Sequence, residues 1–317
     1  MSRQLTTIMY HYVRDLSRSR YPQIKGLPLS DFRRQIDYVQ EQYNVIGASR
    51  LIQAATEEAT LPPKAALLTF DDGYLDHFTN VFPVLDAKGL PGCFFPPSRC
   101  VLDREVLDVN KIHYVLASPA SPGEIADRLF ELMEAWGDPD ALRSREAYRE
   151  AVAGDHRFDE PEVVLIKRML QRELPGPLRT QILDCLFETY VDVSEEVLAE
   201  ELYMDLGQVR CLRRQGMYVG SHGDRHAWMN RLDPEEQRKD IDRSLEFLNK
   251  VGVPLDRWIM CYPYGAHDAS LRSYLRDRGC VVGLTAKAAT GDLDEHDPLQ
   301  LPRLDTNDLP EAKEPLS

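Results

Sequence analysis

A chain of 317 residues, 43% apolar and 28% charged, is long enough for one large α/β domain or for one domain carrying an insertion, and disorder is not its reading. Its formal net charge of −14, from 52 acidic against 38 basic residues, argues against a general nucleic-acid binder, which needs concentrated Lys and Arg for the phosphate backbone. No apolar run approaches the roughly 20 residues that span a bilayer, and the mean hydropathy of −0.40 fits a soluble protein.

In chain order, the first residues before His11 contain neither an apolar core segment nor a small-residue cleavage site of the secretory type, so a cytoplasmic location is expected. Thr6 to Tyr12 is rich in β-formers and predicts a strand with His11 at its end. Leu29-Ser30-Asp31 opens an amphipathic helix running to Tyr43. Ala65 to Phe70 is a short run, apolar but for Thr69, as in a strand buried on both faces, and Phe78 to Lys88 reads as a helix stopped by Gly89. Strand signatures recur at Gly92–Pro96, Met217–Ser221, Trp258–Tyr262 and Cys280–Leu284, with helical stretches between.

Strands alternating with helices predict a parallel sheet, open or closed, and the length suits a barrel of (β/α) units with its chemistry at the strands' C-terminal ends. Residues 103–201 break the pattern with successive helical segments punctuated by Pro119, Pro122, Pro139, Pro161 and Pro175, and are expected to form a helical insertion. Residues 1–102 and 202–308 then make up the barrel, and 309–317 a frayed tail. The six cysteines, at 93, 100, 185, 211, 261 and 280, include no Cys-x-x-Cys pair and are expected to be free thiols in a reducing compartment.

Three segments carry chemistry. Thr69-Phe70-Asp71-Asp72-Gly73-Tyr74 sets two adjacent acids on the end of a buried strand, where their repulsion calls for a cation. Helix capping by the same acids is the alternative. Ser221-His222-Gly223-Asp224-Arg225-His226 presents a His-x-x-x-His pair at another strand end. Such a pair is often incidental, but two histidines and one carboxylate form the open three-ligand set of a catalytic zinc site. Cys261-Tyr262-Pro263-Tyr264-Gly265 marks a fixed turn after the Trp258 strand, and an ordinary strand-closing turn has the same appearance.

Together and in this order, these segments resemble the polysaccharide deacetylase family, the carbohydrate esterases that share the NodB homology domain. The resemblance covers residues 1 to about 100 and about 205 to 305 and leaves the helical segment outside. It implies a distorted (β/α) barrel and a metal-dependent carbohydrate N-deacetylase. It assigns Asp71 as the catalytic base, Asp72, His222 and His226 as ligands of one divalent metal ion, and the Tyr264 amide as the group that stabilises the oxyanion. Nitrogen and oxygen donors suit zinc, while cobalt, nickel or iron would satisfy the same set.

Two departures from the family pattern stand out. Cys261 occupies the place of the arginine that steadies the base, and Arg303 is expected to take over that task unless it forms only a surface ion pair. A late leucine-rich motif ending in His-Asp is missing, so His11 is the candidate catalytic acid, with a buried core histidine as its bland alternative and His296 as a weaker candidate. Lys25, in Tyr21–Leu27, is placed to meet a phosphate or else is an exposed loop lysine. The expected substrate is an N-acetylated sugar or glycan of surface-polysaccharide (O-antigen or capsule) assembly. A catalytically silent sugar-binding protein and a hydrolase of another C–N bond, such as N-formyl, are the competing functions.

Overall fold

The computed structural model describes residues 3–57, 59–152 and 159–309. Of the tail expected from residue 309, only Leu309 lies among them. The strands are β1 (Gln4–Tyr10), β2 (Asn44–Val45), β3 (Ala65–Asp71), β4 (Cys93–Phe95), β5 (Tyr218–Val219), β6 (Trp258–Cys261), β7 (Cys280–Leu284), β8 (Gly291–Asp292) and β9 (Leu304–Asp305). The helices are α1 (Leu29–Gln42), α2 (Ala48–Glu57), α3 (Phe82–Lys88), α4 (Ser98–Leu102), α5 (Asp108–Leu116), α6 (Pro122–Trp136), α7 (Arg145–Val152), α8 (Pro161–Arg168), α9 (Gly176–Tyr190), α10 (Glu195–Leu202), α11 (Leu206–Arg214), α12 (Pro234–Val251) and α13 (Ala269–Asp277).

The chain divides into two compact units. One contains the described residues up to Asp15, Gly26–Glu105 and those from Ala199 onward, and it holds all nine strands found among the described residues. The mixed α/β fold expected from the sequence is present, with a predominantly parallel sheet. Its centre is β3, whose seven residues are all buried because apolar side chains project from both faces. β1 pairs with it in parallel from Leu5 opposite Ala65 to Tyr10 opposite Phe70, and β4 flanks its other side. Parallel pairing continues from β4 to β5. A bridge from Ser221 to Met260 leads to β6 and β7, and a second from Leu284 to Leu301 leads toward β9, which pairs with β1. Around this circuit the strands share one direction, and β8 alone among the described strands runs antiparallel to its partner.

The other unit contains Leu16–Lys25 and the described residues of Val106–Leu198. Its helices bury apolar stripes against one another, with Ile125, Leu129 and Met133 on α6 and Ile182, Leu183 and Leu186 on α9. Ser121 and Glu124 form a reciprocal capping box that starts α6 ahead of Pro122. Leu16–Lys25 joins this unit, although the sequence reading leaves it with the N-terminal loop. The reason is Tyr21, which is buried edge-on against Tyr114 and whose hydroxyl accepts the Asp192 N–H at 3.2 Å. Among the described residues no helix is long and apolar enough to cross a membrane.

Candidate metal centre

Asp71 and Asp72 stand where the buried run of β3 gives out. The chain turns there through two successive left-handed residues, Asp72 at φ 72° and Gly73 at φ 70°. Gly73 has no substitute, because a Cβ would lie 2.6 Å from Cβ of Pro96. The turn points the two carboxylates in different directions, and they acquire different partners.

Asp72 faces the histidines. Its Oδ1 lies 3.2 Å from His226 Nε2 and 3.5 Å from His222 Nε2, and its Oδ2 accepts the Tyr74 hydroxyl at 2.8 Å. The Nδ1 of His222 donates to the Cys261 carbonyl at 2.7 Å, which fixes the ring and leaves Nε2 as the free donor atom toward Asp72. Oδ1 of Asp72 is buried and has no hydrogen-bond partner among the described residues. Burial alone would raise the Asp72 carboxyl, but His226 and then His222 outweigh it and hold the group well below the usual carboxylate range. An orphaned carboxylate oxygen facing two imidazole nitrogens fits a cation. Two donor atoms each about 2.1 Å from one tetrahedral ion sit about 3.4 Å apart, close to the separations found.

Asp71 faces the other way. Arg303 Nη1 lies 3.0 Å from its Oδ1 and 2.8 Å from its Oδ2, and Cys261 Sγ lies 3.4 and 3.3 Å from the same oxygens. Arg303 is 2% exposed and is itself fixed, its Nε donating to the Thr285 carbonyl at 2.8 Å and its Nη1 to Thr69 Oγ1 at 3.2 Å. Burial pushes the Asp71 carboxyl up, yet Arg303, with His222 and His11 behind it, brings it below its ordinary value. Burial pushes the Cys261 thiol up, so it stays protonated and donates to Asp71. Asp71, His222 and Cys261 form a second trio of close donor atoms, but there Asp71 already carries a guanidinium.

Tyr264, also left-handed at φ 57°, packs edge-on against His226 with ring centres 4.6 Å apart and stacks on Trp228. His11 follows directly on β1, and its ring lies close enough to lower both aspartates. Its carbonyl accepts Nε2 of the buried His77, which opens a π-helical turn, His77–Val81, in the segment read from the sequence as plain helix. Two flanking residues grip the same loop, Asp76 pairing with Arg14 at 2.7 Å and Asn80 donating to the Val13 carbonyl. His296 is bonded to Asp292 within its own loop, and Lys25 pairs with Asp159 in the helical unit. The sequence reading missed Tyr74 and His77; their one sequence signal is that both lie just past the acid pair.

Comparison with known proteins places these motifs. The family model for polysaccharide deacetylases matches residues 58–118 and 176–283, more than half of the chain. A poly-beta-1,6-N-acetyl-D-glucosamine N-deacetylase of Escherichia coli K12 is 32% identical over 90 residues, which is 28% of this chain and only 13% of that relative's length. Among solved structures, the Streptococcus pyogenes deacetylase PplD aligns over 96% of this chain and 93% of its own, with a TM-score of 0.58 at 12% identity. IcaB from Ammonifex degensii aligns over 95% and 91%, with a TM-score of 0.55 at 17% identity. A de-N-acetylase from Aggregatibacter actinomycetemcomitans aligns over 98% and 97%, with a TM-score of 0.55 at 16% identity. At such identities the likeness is one of fold.

Proposed function

The chain belongs to the polysaccharide deacetylase family, and from that premise we propose that it is a metal-dependent hydrolase removing the N-acetyl group from an amino sugar. The observation that carries this reading is the orphaned Oδ1 of Asp72 between two imidazoles, with a separately held carboxylate at the adjacent residue. Asp72, His222 and His226 would hold the ion, zinc or a metal of similar preference. Bound there, it would supply a Lewis acid for the acetamido carbonyl and lower the pKa of the attacking water.

The protein's own groups do the rest. Asp71, kept ionised by Arg303 and oriented by the Cys261 thiol, takes the proton from water as its oxygen attacks the carbonyl carbon. The Tyr264 backbone N–H donates to the carbonyl oxygen as that oxygen becomes negative. His11 then gives a proton to the nitrogen as the C–N bond breaks, and the products are acetate and a free amino sugar.

The substrate class is an N-acetylated intermediate or glycan of surface-polysaccharide (O-antigen or capsule) assembly, met in the cytoplasm. Six free cysteines among the described residues support a reducing compartment. The deciding experiment incubates the full chain with N-acetylated and N-formylated sugars and N-acetylglucosamine oligomers, with and without chelator, after elemental analysis of the protein. Acetate release that stops with chelator and returns with metal is expected. Sugar binding without turnover would leave a silent carbohydrate-binding protein, and formate release would assign a different C–N bond.

A further inference from the structure

The ligand loop has an unusual task. Within His222–His226 it must leave a strand, pass through left-handed Gly223 (φ 72°) and left-handed His226 (φ 53°), and still bring two rings to one point. A non-glycine residue in that region is strained and persists only where its surroundings fix it. Three consecutive N–H groups of the loop lack helix or strand partners, and side chains satisfy all three. Gly223 N donates to Ser221 Oγ at 3.1 Å, Asp224 N to Asp240 Oδ1 at 2.7 Å, and Arg225 N to Asp240 Oδ2 at 3.2 Å.

We infer that Asp240, on α12, is the positioning residue that locks this loop so that His222 and His226 meet the ion already aligned; the inference rests on the reading of those histidines as ligands. A single carboxylate takes two successive amides, and Asp240 is only 2% exposed. Gly223 leaves room for it, since a Cβ there would lie 2.6 Å from Asp240 Oδ1. One turn further along α12, Ser244 accepts the Ser221 hydroxyl at 2.8 Å and so steadies the first of the three bonds. On the opposite side of the loop, Ser98 N and Arg99 N at the start of α4 donate to the carbonyls of Gly223 and Asp224 at 3.1 and 3.2 Å. The neighbours of Asp240 on the buried face of α12 include Ile241, Leu245 and Leu248. An apolar side chain would satisfy that packing at lower desolvation cost, so the acid at 240 answers to the loop rather than to the core.

The test is the affinity of the full, metal-free chain for Zn²⁺, measured by competition with a chromophoric chelator, alongside melting of the metal-free protein. Asp240→Ala is expected to weaken Zn²⁺ binding about 10- to 100-fold, as loss of an outer-shell support does. Asp240→Asn, which keeps one acceptor oxygen, falls between it and wild type. The exposed Glu246→Ala on the same helix changes nothing. Gly223→Ala attacks the same contact from the loop side and should also weaken binding, with a smaller added effect in the Asp240→Ala background because the two share one interaction. Should Asp240→Ala not fold, Asp240→Asn and Gly223→Ala carry the test. Asp240 variants that bind Zn²⁺ as tightly as wild type, whatever their melting temperature, overturn the inference. Wild-type protein that binds no Zn²⁺ overturns the reading of the site itself and this inference with it.

Discussion

Replacing Arg303 by Met keeps most of the side-chain volume and removes the guanidinium that pairs with Asp71. In the native protein the guanidinium sits 2.8 and 3.0 Å from the two oxygens, with both side chains 1% exposed. Breaking one half of a buried ion pair costs about 3–5 kcal/mol, because the remaining charge is left desolvated. The cost depends on pH, and its sign follows from the shift. With Arg303 present, the folded-state value of Asp71 is depressed, so the pair's stabilisation is complete above the ordinary carboxylate range and is lost as pH falls through that depressed value. Without Arg303, burial is the dominant influence and Asp71 moves above its ordinary value, so the variant is penalised increasingly as pH rises past about 4. The stability gap between wild type and Arg303→Met should therefore be largest near neutrality and shrink toward pH 3. A residual gap of about 1–3 kcal/mol should persist at all pH, because the Thr285 carbonyl and Thr69 hydroxyl lose their donor. Denaturant titrations at several pH values measure this directly. In turnover, the acid limb of kcat/KM should move to higher pH, so that rate is lost chiefly on the acid side of neutrality as the base becomes protonated. Arg303→Lys restores the charge but not the fork, and recovers the rate only in part. A gap independent of pH, together with an unmoved acid limb, would refute the assignment of Arg303 as the group that keeps Asp71 ionised.

Three further outcomes follow from the same geometry. Alanine at Asp72, His222 or His226 should strip the metal in elemental analysis and take activity to background, whereas Asp71→Asn should keep the metal and lose about 10²–10⁴ in kcat; metal retained in full by Asp72→Ala would exclude it as a ligand. Tyr74→Phe removes the hydroxyl that fixes Asp72 Oδ2, and should cost about 1 kcal/mol of stability and about tenfold in metal affinity, read by melting and chelator competition. Burial holds His77 neutral, pushing it from 6.5 to about 4, so it resists protonation that the unfolded chain accepts. Stability should fall by up to about 3 kcal/mol as pH drops from 6.5 to 4, and His77→Phe should flatten that slope while lowering kcat through the loosened His11 loop; an unchanged slope would count against a buried neutral ring.

The parts of the site legible in the sequence are those in which one short segment carries both the fold signal and the chemistry. Ala65 to Phe70 announces a buried strand by an apolar run broken only by Thr69, and the acids after it sit at its end for that reason alone. The same holds for His222 after β5 and for Cys261 at the end of β6. The strands β2, β8 and β9 have two residues each, as β5 does, but no chemical motif follows them to mark their ends, and β9 matters because Arg303 immediately precedes it. Arg303 reaches Asp71 across more than two hundred residues of chain, so no spacing rule finds it; only the vacancy left by a cysteine in a motif suggested where to look. Asp240 is different, because a signal was present. On α12 the residues Gln237, Asp240, Ile241 and Ser244 fall on one helical face at steps of three and four, and all are buried. Three polar side chains on the core-facing stripe of an amphipathic helix contradict the pattern that makes it a helix, and such a contradiction marks a place where the backbone of another segment needs partners. Gln237 fits the same rule, since its amide donates to the Met229 carbonyl and to Asp268. Polar residues on the buried face of the helix that follows a candidate ligand loop are therefore the feature to search for when a sequence offers ligands but not the groups that hold them in place.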